Sequence, residues 1–201
     1  MTFAKLVQHL VVVIGLCVAA AAPAADKKKA AAPMDEKAAM EAMAKAATPG
    51  EAHKKLDPLV GTFDAKARQW MDPSKPPAES TGTIERKWIL DNRYVQEQYT
   101  GSFGGQPFTG MGYQGYDNVT KKYVATWIDS MGTGMTLSSG KMVGNVLKTT
   151  GDMSDPATGK TSKYTMVTTI ADNDHHNLEM WAPGPGGKNV KWMEISFTRK
   201  K

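Results

Sequence analysis

Four stretches of the sequence place an aromatic ring and a carboxylate two residues apart. Tyr123, Ala125, Trp127 and Asp129 alternate along one run, Tyr99 follows Glu97, Trp181 follows Glu179, and Glu194 follows Trp192. Residues two apart on an extended chain project to the same side. Each stretch, read as a strand, therefore presents rings and an acid on one face. Rings supply apolar contact area and a few carboxylates fix orientation, which is the chemistry of a pocket for a small apolar or amphipathic molecule. The competing reading turns these faces outward, as surface aromatics over a dry core. Alternation alone leaves both open, because several strands are partly apolar on both faces.

Other chemistries have weaker footing. Asp129 and Glu194 could do acid–base work if they met across a lumen. The run Asp172-Asn173-Asp174-His175-His176 has the composition of a metal site. Neighbouring strand residues point to opposite faces, so His175 and His176 cannot both ligate inward, and the preceding residues are ordinary turn formers. No cofactor is expected; a haem or metal held through His175 or His176 is the alternative. His53 reads as a solvated helix residue. No G-x-S-x-G elbow occurs. Asn118-Val119-Thr120 matches a glycan acceptor, a short motif that arises often by chance. GMGYQG, residues 110–115, has the glycine pattern of a dinucleotide loop, but the residues after it read as a strand, whereas such a loop must open a helix. The glycines are expected to serve the shape of a sheet.

The start of the chain reads as an address. Lys5, the apolar run Leu6 to Ala22 and the small-x-small site Ala22-Pro23-Ala24 form a secretory signal over residues 1–24. The second half of the run is mostly alanine, so it is a weak membrane span. Leu16 before Cys17 argues against a lipoprotein. Cys17 is the single cysteine, so the mature chain would carry no thiol, and disulfides, cysteine nucleophiles and zinc-thiolate sites are excluded by count. The expected destination is the periplasm or the medium of a Gram-negative-type bacterium. The formal net charge is +5, with lysines scattered in pairs rather than grouped with aromatics, so no nucleic-acid partner is expected.

The elements that must position the candidate residues follow from periodicity. Residues 25–33 are lysine, alanine and proline, a disordered linker. Residues 34–57 read as helical: Met40 and Met43 form an apolar stripe expected to lie across the body, and Thr48-Pro49-Gly50-Glu51 is a capping box. From Gly61 the period becomes two. Ten candidate strands follow between turn residues: 62–71, 80–90, 93–103, 108–116, 121–129, 135–139, 142–151, 161–171, 177–182 and 190–199. Parallel crossovers need a dozen or more residues, and no such connection is present. The fold class is therefore all-β, with residues 58–201 forming an antiparallel up-and-down barrel of about ten strands.

The runs TPGEAHKKLDPLVGTF, GTIERKWIL, PFTGMGYQGYDNVTKKYVATWIDSMGTG and MEISFTRK resemble the bacterial family catalogued as domain of unknown function 1579. That resemblance spans roughly residues 34–201 and implies a fold rather than an activity. The chain also resembles, distantly, the calycin barrels of lipocalins and fatty-acid-binding proteins. Those open with glycine-x-tryptophan beneath an arginine of the last strand; here Gly61-Thr62-Phe63 and Arg199 hold those places, and the resemblance implies that Phe63 and Arg199 meet at a closed end. The expected function is an exported barrel binding a small apolar or amphipathic ligand. An enzyme using cavity carboxylates or a histidine-bound cofactor, and a filled barrel acting as a structural or interaction protein, are the alternatives.

Overall fold

A computed structural model describes residues 35–201 apart from 73, 156 and 157; the signal and linker readings lie outside the described residues. Helix α1 (Glu36–Ala47) and the four-residue helix α2 (Glu51–Lys54) precede a 3-10 turn (Asp57–Leu59) and ten strands. The strands are β1 (Gly61–Gln69), β2 (Ala78–Ile89), β3 (Tyr94–Phe103), β4 (Gln106–Asp117) and β5 (Lys122–Asp129). They continue with β6 (Thr136–Val143), β7 (Val146–Ser154), β8 (Thr161–Ile170), β9 (His175–Pro183) and β10 (Asn189–Arg199). Each strand pairs antiparallel with its sequence neighbours, and β10 pairs with β1 to close the barrel. Closure leaves no free edge to recruit another chain.

Local chemistry explains the hairpins. Leu90, Asp91 and Asn92 all take positive φ in the β2–β3 turn, a region that Asp and Asn tolerate better than most side chains. Most boundaries shift by one to four residues from the sequence reading, and one turn is displaced. Gly140 reads as a turn after Ser139, yet it lies inside β6, and the chain reverses at Gly144 with Val143 opposite Val146. A Cβ on Gly140 would collide with the backbone of β7, so that glycine marks close strand approach.

One mouth of the barrel is sealed by residues 50–60. Leu56 and Leu59 are fully buried against Val95, Tyr123, Leu147 and Ile170, with Ala52, Trp88 and Tyr116 around them. Tyr123 Oη donates to Ala52 O at 2.9 Å, and Trp88 Nε1 donates to Asp57 Oδ1 at 2.9 Å. His53, expected in solvent, is buried here with its ring edge-on to Tyr116. Its Nδ1 accepts from the Gly50 N–H at 3.1 Å. The first turn of α2 is thus capped from His53, while Thr48 turns back to donate to Ala44 O. Helix α1 buries nothing: Met40 and Met43, expected to lie across the body, are exposed. Its C-terminal end is tied down by Asn118 Nδ2, which donates to Ala46 O and Thr48 O at 3.0 and 2.8 Å.

Arg199 locks the ring at this sealed end. Its guanidinium lies 4.5 Å from the centre of the Phe63 ring, so the expected pair does meet. Nη1 donates to Val60 O at 2.8 Å and Nη2 to Pro58 O at 3.1 Å, while Nε donates to Asn173 O and Asp174 Oδ1, each at 2.9 Å. Gly61 has φ +134, and a Cβ there would strike Arg199 Nη1. Several charge-assisted bonds converge on one side chain, each worth ~1.5–3 kcal/mol. Arg199→Met and Gly61→Ala are therefore each expected to lose about 3 kcal/mol or more in urea unfolding. Arg199→Lys should recover little, because a single ammonium cannot span those acceptors. Wild-type stability in the methionine variant would refute the lock.

Candidate functional site

Alternation sorts each strand into an outer coat and an inner wall, and the register shows what shares a level of the lumen. Strands in a barrel tilt, so a level is traced by stepping straight across or two residues along at each crossing. Starting from Phe63 and always stepping toward the sealed end, one closed circuit passes Arg86, Glu97, Gln114, Ala125, Ser138, Thr149, Thr168, His176 and Phe197, one residue per strand. Below this belt lies the apolar floor of Trp88, Val95, Tyr116, Tyr123, Leu147 and Ile170. Above it the wall carries Ile84, Tyr99, Trp127, Leu178 and Ile195, with Met166, Met180 and Met193 also on inward positions. A mostly polar ring is therefore held between two apolar layers.

The belt is buried and incompletely paired. Arg86 Nε bonds Glu97 Oε1 at 3.0 Å, with both side chains under a tenth exposed. The guanidinium also stacks 4.6 Å from the Phe197 ring centre. Arg86 Nη1, Gln114 Oε1, Ser138 Oγ, Thr149 Oγ1 and both ring nitrogens of His176 are buried with no hydrogen-bond partner. Each such group costs ~1–3 kcal/mol unless something bonds it. Burial, with the nearby Arg86 and Arg199 charges, pushes the His176 pKa down to about 4, so the ring is neutral at physiological pH. Backbone at His175 and Asp172 favours the protonated ring but forms no bond of ordinary geometry with either nitrogen.

Above the belt, Trp127 explains the glycine pattern. A Cβ on Gly110 would run into its indole, and one on Gly112 would strike the Thr126 carbonyl and crowd the ring, so the ring lies against a stretch of β4 without side chains. Trp127 Nε1 donates to Asp129 Oδ2 at 3.0 Å, and Asp129 Oδ1 accepts from the Met131 N–H at 2.9 Å. Inward residues Trp127, Met166, Leu178, Met180, Met193 and Ile195 are only partly buried. They contrast with the floor at the sealed end, where Val95, Tyr123, Leu147 and Ile170 are buried. Concavities of about 610 and 530 Å³ also occur on the barrel surface, lined chiefly by outward residues such as Tyr94, Tyr113 and Leu137 in one and Gln98, Met111 and Ile128 in the other.

The structure separates the residues that the sequence groups together. Glu97, Tyr99, Trp127 and Asp129 face the lumen, and Tyr123 faces the floor, its hydroxyl committed to the plug. Glu179 and Glu194 are corrections: they oppose each other across β9 and β10 on the outer face, level with Arg68. Lys191 bonds both, and its ammonium lies 5.6 Å from the centre of the Trp70 ring. Asp129 and Glu194 therefore cannot meet. Trp192 is the extra residue of a bulge between Lys191 and Met193, its indole nitrogen buried without a partner. His175 is exposed and pairs with Asp172, whose Oδ1 also accepts the N–H of Asp174 at 2.7 Å, as turn chemistry requires. His176 alone of the pair faces inward. Asn118 of the glycan-like motif is engaged with α1. Among the described residues no three His, Cys, Asp or Glu side chains converge to hold a metal ion, and no helix is long and apolar enough to cross a membrane.

Sequence reasoning missed Arg86, Gln114, Ser138 and Thr149. A signal existed for the first: Ile84 and Trp88 flank Arg86 at two-residue spacing, as Val95 and Tyr99 flank Glu97, on consecutive strands. Opposite charges so placed on a hairpin mark a buried pair. Ser138 and Thr149 lie in stretches of serine, threonine and glycine that carry no such contrast.

These features define the class: a closed, antiparallel ten-stranded barrel with one end plugged. Residues 48–199 match the family model described as "Protein of unknown function (DUF1579)", and the chain belongs to that family. Among solved structures it is similar to Rv2717c from M. tuberculosis, at 15% identity and TM-score 0.55, over 77% of this chain and 100% of that one. It is also similar to a redesigned beta barrel, at 13% identity and TM-score 0.38, over 77% and 100% of the two chains. The first likeness is one of fold alone. Among curated proteins none matches.

The neutral His176 ring yields a test of the belt. Between the ordinary value of 6.5 and about 4, the unfolded chain takes up a proton that the folded chain refuses. The corresponding stability is complete above this window and is lost as pH falls through it, at up to about 1.4 kcal/mol per pH unit. Urea unfolding at pH 7 and pH 5 should show that loss, and His176→Phe should flatten it. An unchanged loss in His176→Phe would assign the acid sensitivity elsewhere, His53 being the other buried imidazole whose pKa burial lowers.

Proposed function

We propose that the chain is an exported binding protein that takes a small amphipathic molecule end-on into the barrel, polar end on the belt and apolar part along the upper wall. The observation that carries this reading is the set of buried, unpartnered polar atoms on inward positions: Arg86 Nη1, Ser138 Oγ, Thr149 Oγ1 and the His176 nitrogens. Placed in a shell of rings, aliphatic side chains and methionines, they are the few convergent polar groups that orient a ligand in a mostly apolar pocket. Methionine thioethers adapt to ligand shape at little cost. The signal-like residues 1–24 support export. Solvent access to inward residues favours an open lumen over a filled barrel.

The test joins ligand to stability. Mass spectrometry of a denaturing organic extract of the purified protein should recover a bound small molecule. Thr149→Val removes one unpaired hydroxyl, so the ligand-free variant should match or exceed wild-type stability, by up to about 1 kcal/mol, while its extract is depleted of that molecule. An empty wild-type extract together with a destabilised Thr149→Val protein would refute the reading.

A second reading rests on His176, a neutral imidazole with neither nitrogen hydrogen-bonded: it would be the one inward histidine able to hold a haem. Visible absorbance that is present in the purified protein and abolished in His176→Phe would establish it; a colourless protein would end it.

A further inference from the structure

The belt also restricts the ligand's charge, an inference that rests on the binding role proposed above. The inward-facing charged side chains on the ten strands are Arg86, Glu97, Asp129 and Arg199. Arg86 is paired with Glu97, and Arg199 with Asp174. Asp129 stands at the end away from the plug, bonded to Trp127 and Met131. The charges at belt level therefore cancel within the protein. What remains unpaired is mixed in kind: a guanidinium N–H at Arg86, an amide oxygen at Gln114, hydroxyls at Ser138 and Thr149, and the His176 ring. In strand order Thr149 stands directly across the barrel from Arg86, five strands away either way round.

We infer that the ligand's polar end is an uncharged group that both accepts and donates hydrogen bonds, with a primary amide or an alcohol as its chemical class, rather than a carboxylate or an ammonium. A carbonyl or hydroxyl oxygen meets Arg86 Nη1, and an N–H or O–H meets Gln114 Oε1 or the Thr149 hydroxyl. A carboxylate offers acceptors only. It would lie beside Gln114 Oε1 and Glu97 and bring an uncompensated negative charge into a desolvated layer. An ammonium would face Arg86 in the same way. His176, neutral at physiological pH, adds no balancing charge for an anion.

The experiment uses the full mature chain and four dodecyl compounds that share a tail and differ in the head: dodecanol, dodecanamide, dodecanoate and dodecyltrimethylammonium. Each competes at pH 7.5 against a neutral fluorescent naphthylamine probe that brightens on entering the lumen. The alcohol or the amide should displace the probe at a concentration about tenfold or more below that of either charged compound. Glu97→Gln, which removes the internal counter-charge of Arg86, should bring dodecanoate up to or past the amide. If that variant does not fold, Thr149→Val serves instead: it should weaken the alcohol and the amide severalfold and leave dodecanoate unmoved. Dodecanoate or the ammonium compound binding as well as the neutral pair would overturn the inference and leave the binding role standing. A probe that never brightens, with no compound bound in native mass spectrometry, would remove both.

Discussion

The barrel depends on the bond between its ends. Pairing of β1 with β10 turns an open meander into a closed wall, and Arg199, the last residue of β10, secures that seam. Its guanidinium touches three separate parts of the molecule at once. It lies against Phe63 of β1, donates to the carbonyls of Pro58 and Val60 in the plug, and bonds Asn173 and Asp174 in the β8–β9 turn. Gly61 is obligatory for the same reason, since any side chain there would occupy the guanidinium's place. The seam and the seal are one assembly, because the side chain that closes the wall also holds the plug.

That floor gives the belt its character. Ordinary cores leave few buried polar groups without partners, yet here the unpartnered atoms cluster at one level, on several strands, all but one of them facing inward. Apolar layers above and below exclude any alternative protein partner. Folding places these groups at some cost, for which the binding role proposed above gives a reason. Large rings lie against glycines in the upper wall, as Trp127 does against Gly110 and Gly112. This arrangement adds apolar surface to the inner wall, and it accounts for glycines that imitate a nucleotide motif in sequence.

The scaffold was highly legible in the sequence because its signals are local. Two-residue alternation, the Asp-Asn and Gly-Gly turns and the absence of crossover-length connections determine an antiparallel meander, while the meeting of Phe63 and Arg199 was implied only by the resemblance to calycin barrels. The site was legible only in part. Whether Glu179 and Glu194 point in or out depends on the phase of β9 and β10 relative to the lumen, and alternation defines faces without naming the inner one. His53 looks solvated on a short helix, and becomes buried only because that helix stops a barrel mouth. Gly140 carries the mark of a turn, but close strand approach, invisible along the chain, uses the same residue. Belt membership is a property of tilt and register across all ten strands, which no single segment encodes.

The seam also bears on when the molecule can take shape. A wall whose first strand pairs with its tenth cannot close until both have been made, so its defining contacts are long-range and late. For a protein exported as proposed, that lateness keeps the chain threadable through a translocation channel until β10 can join β1 on the far side.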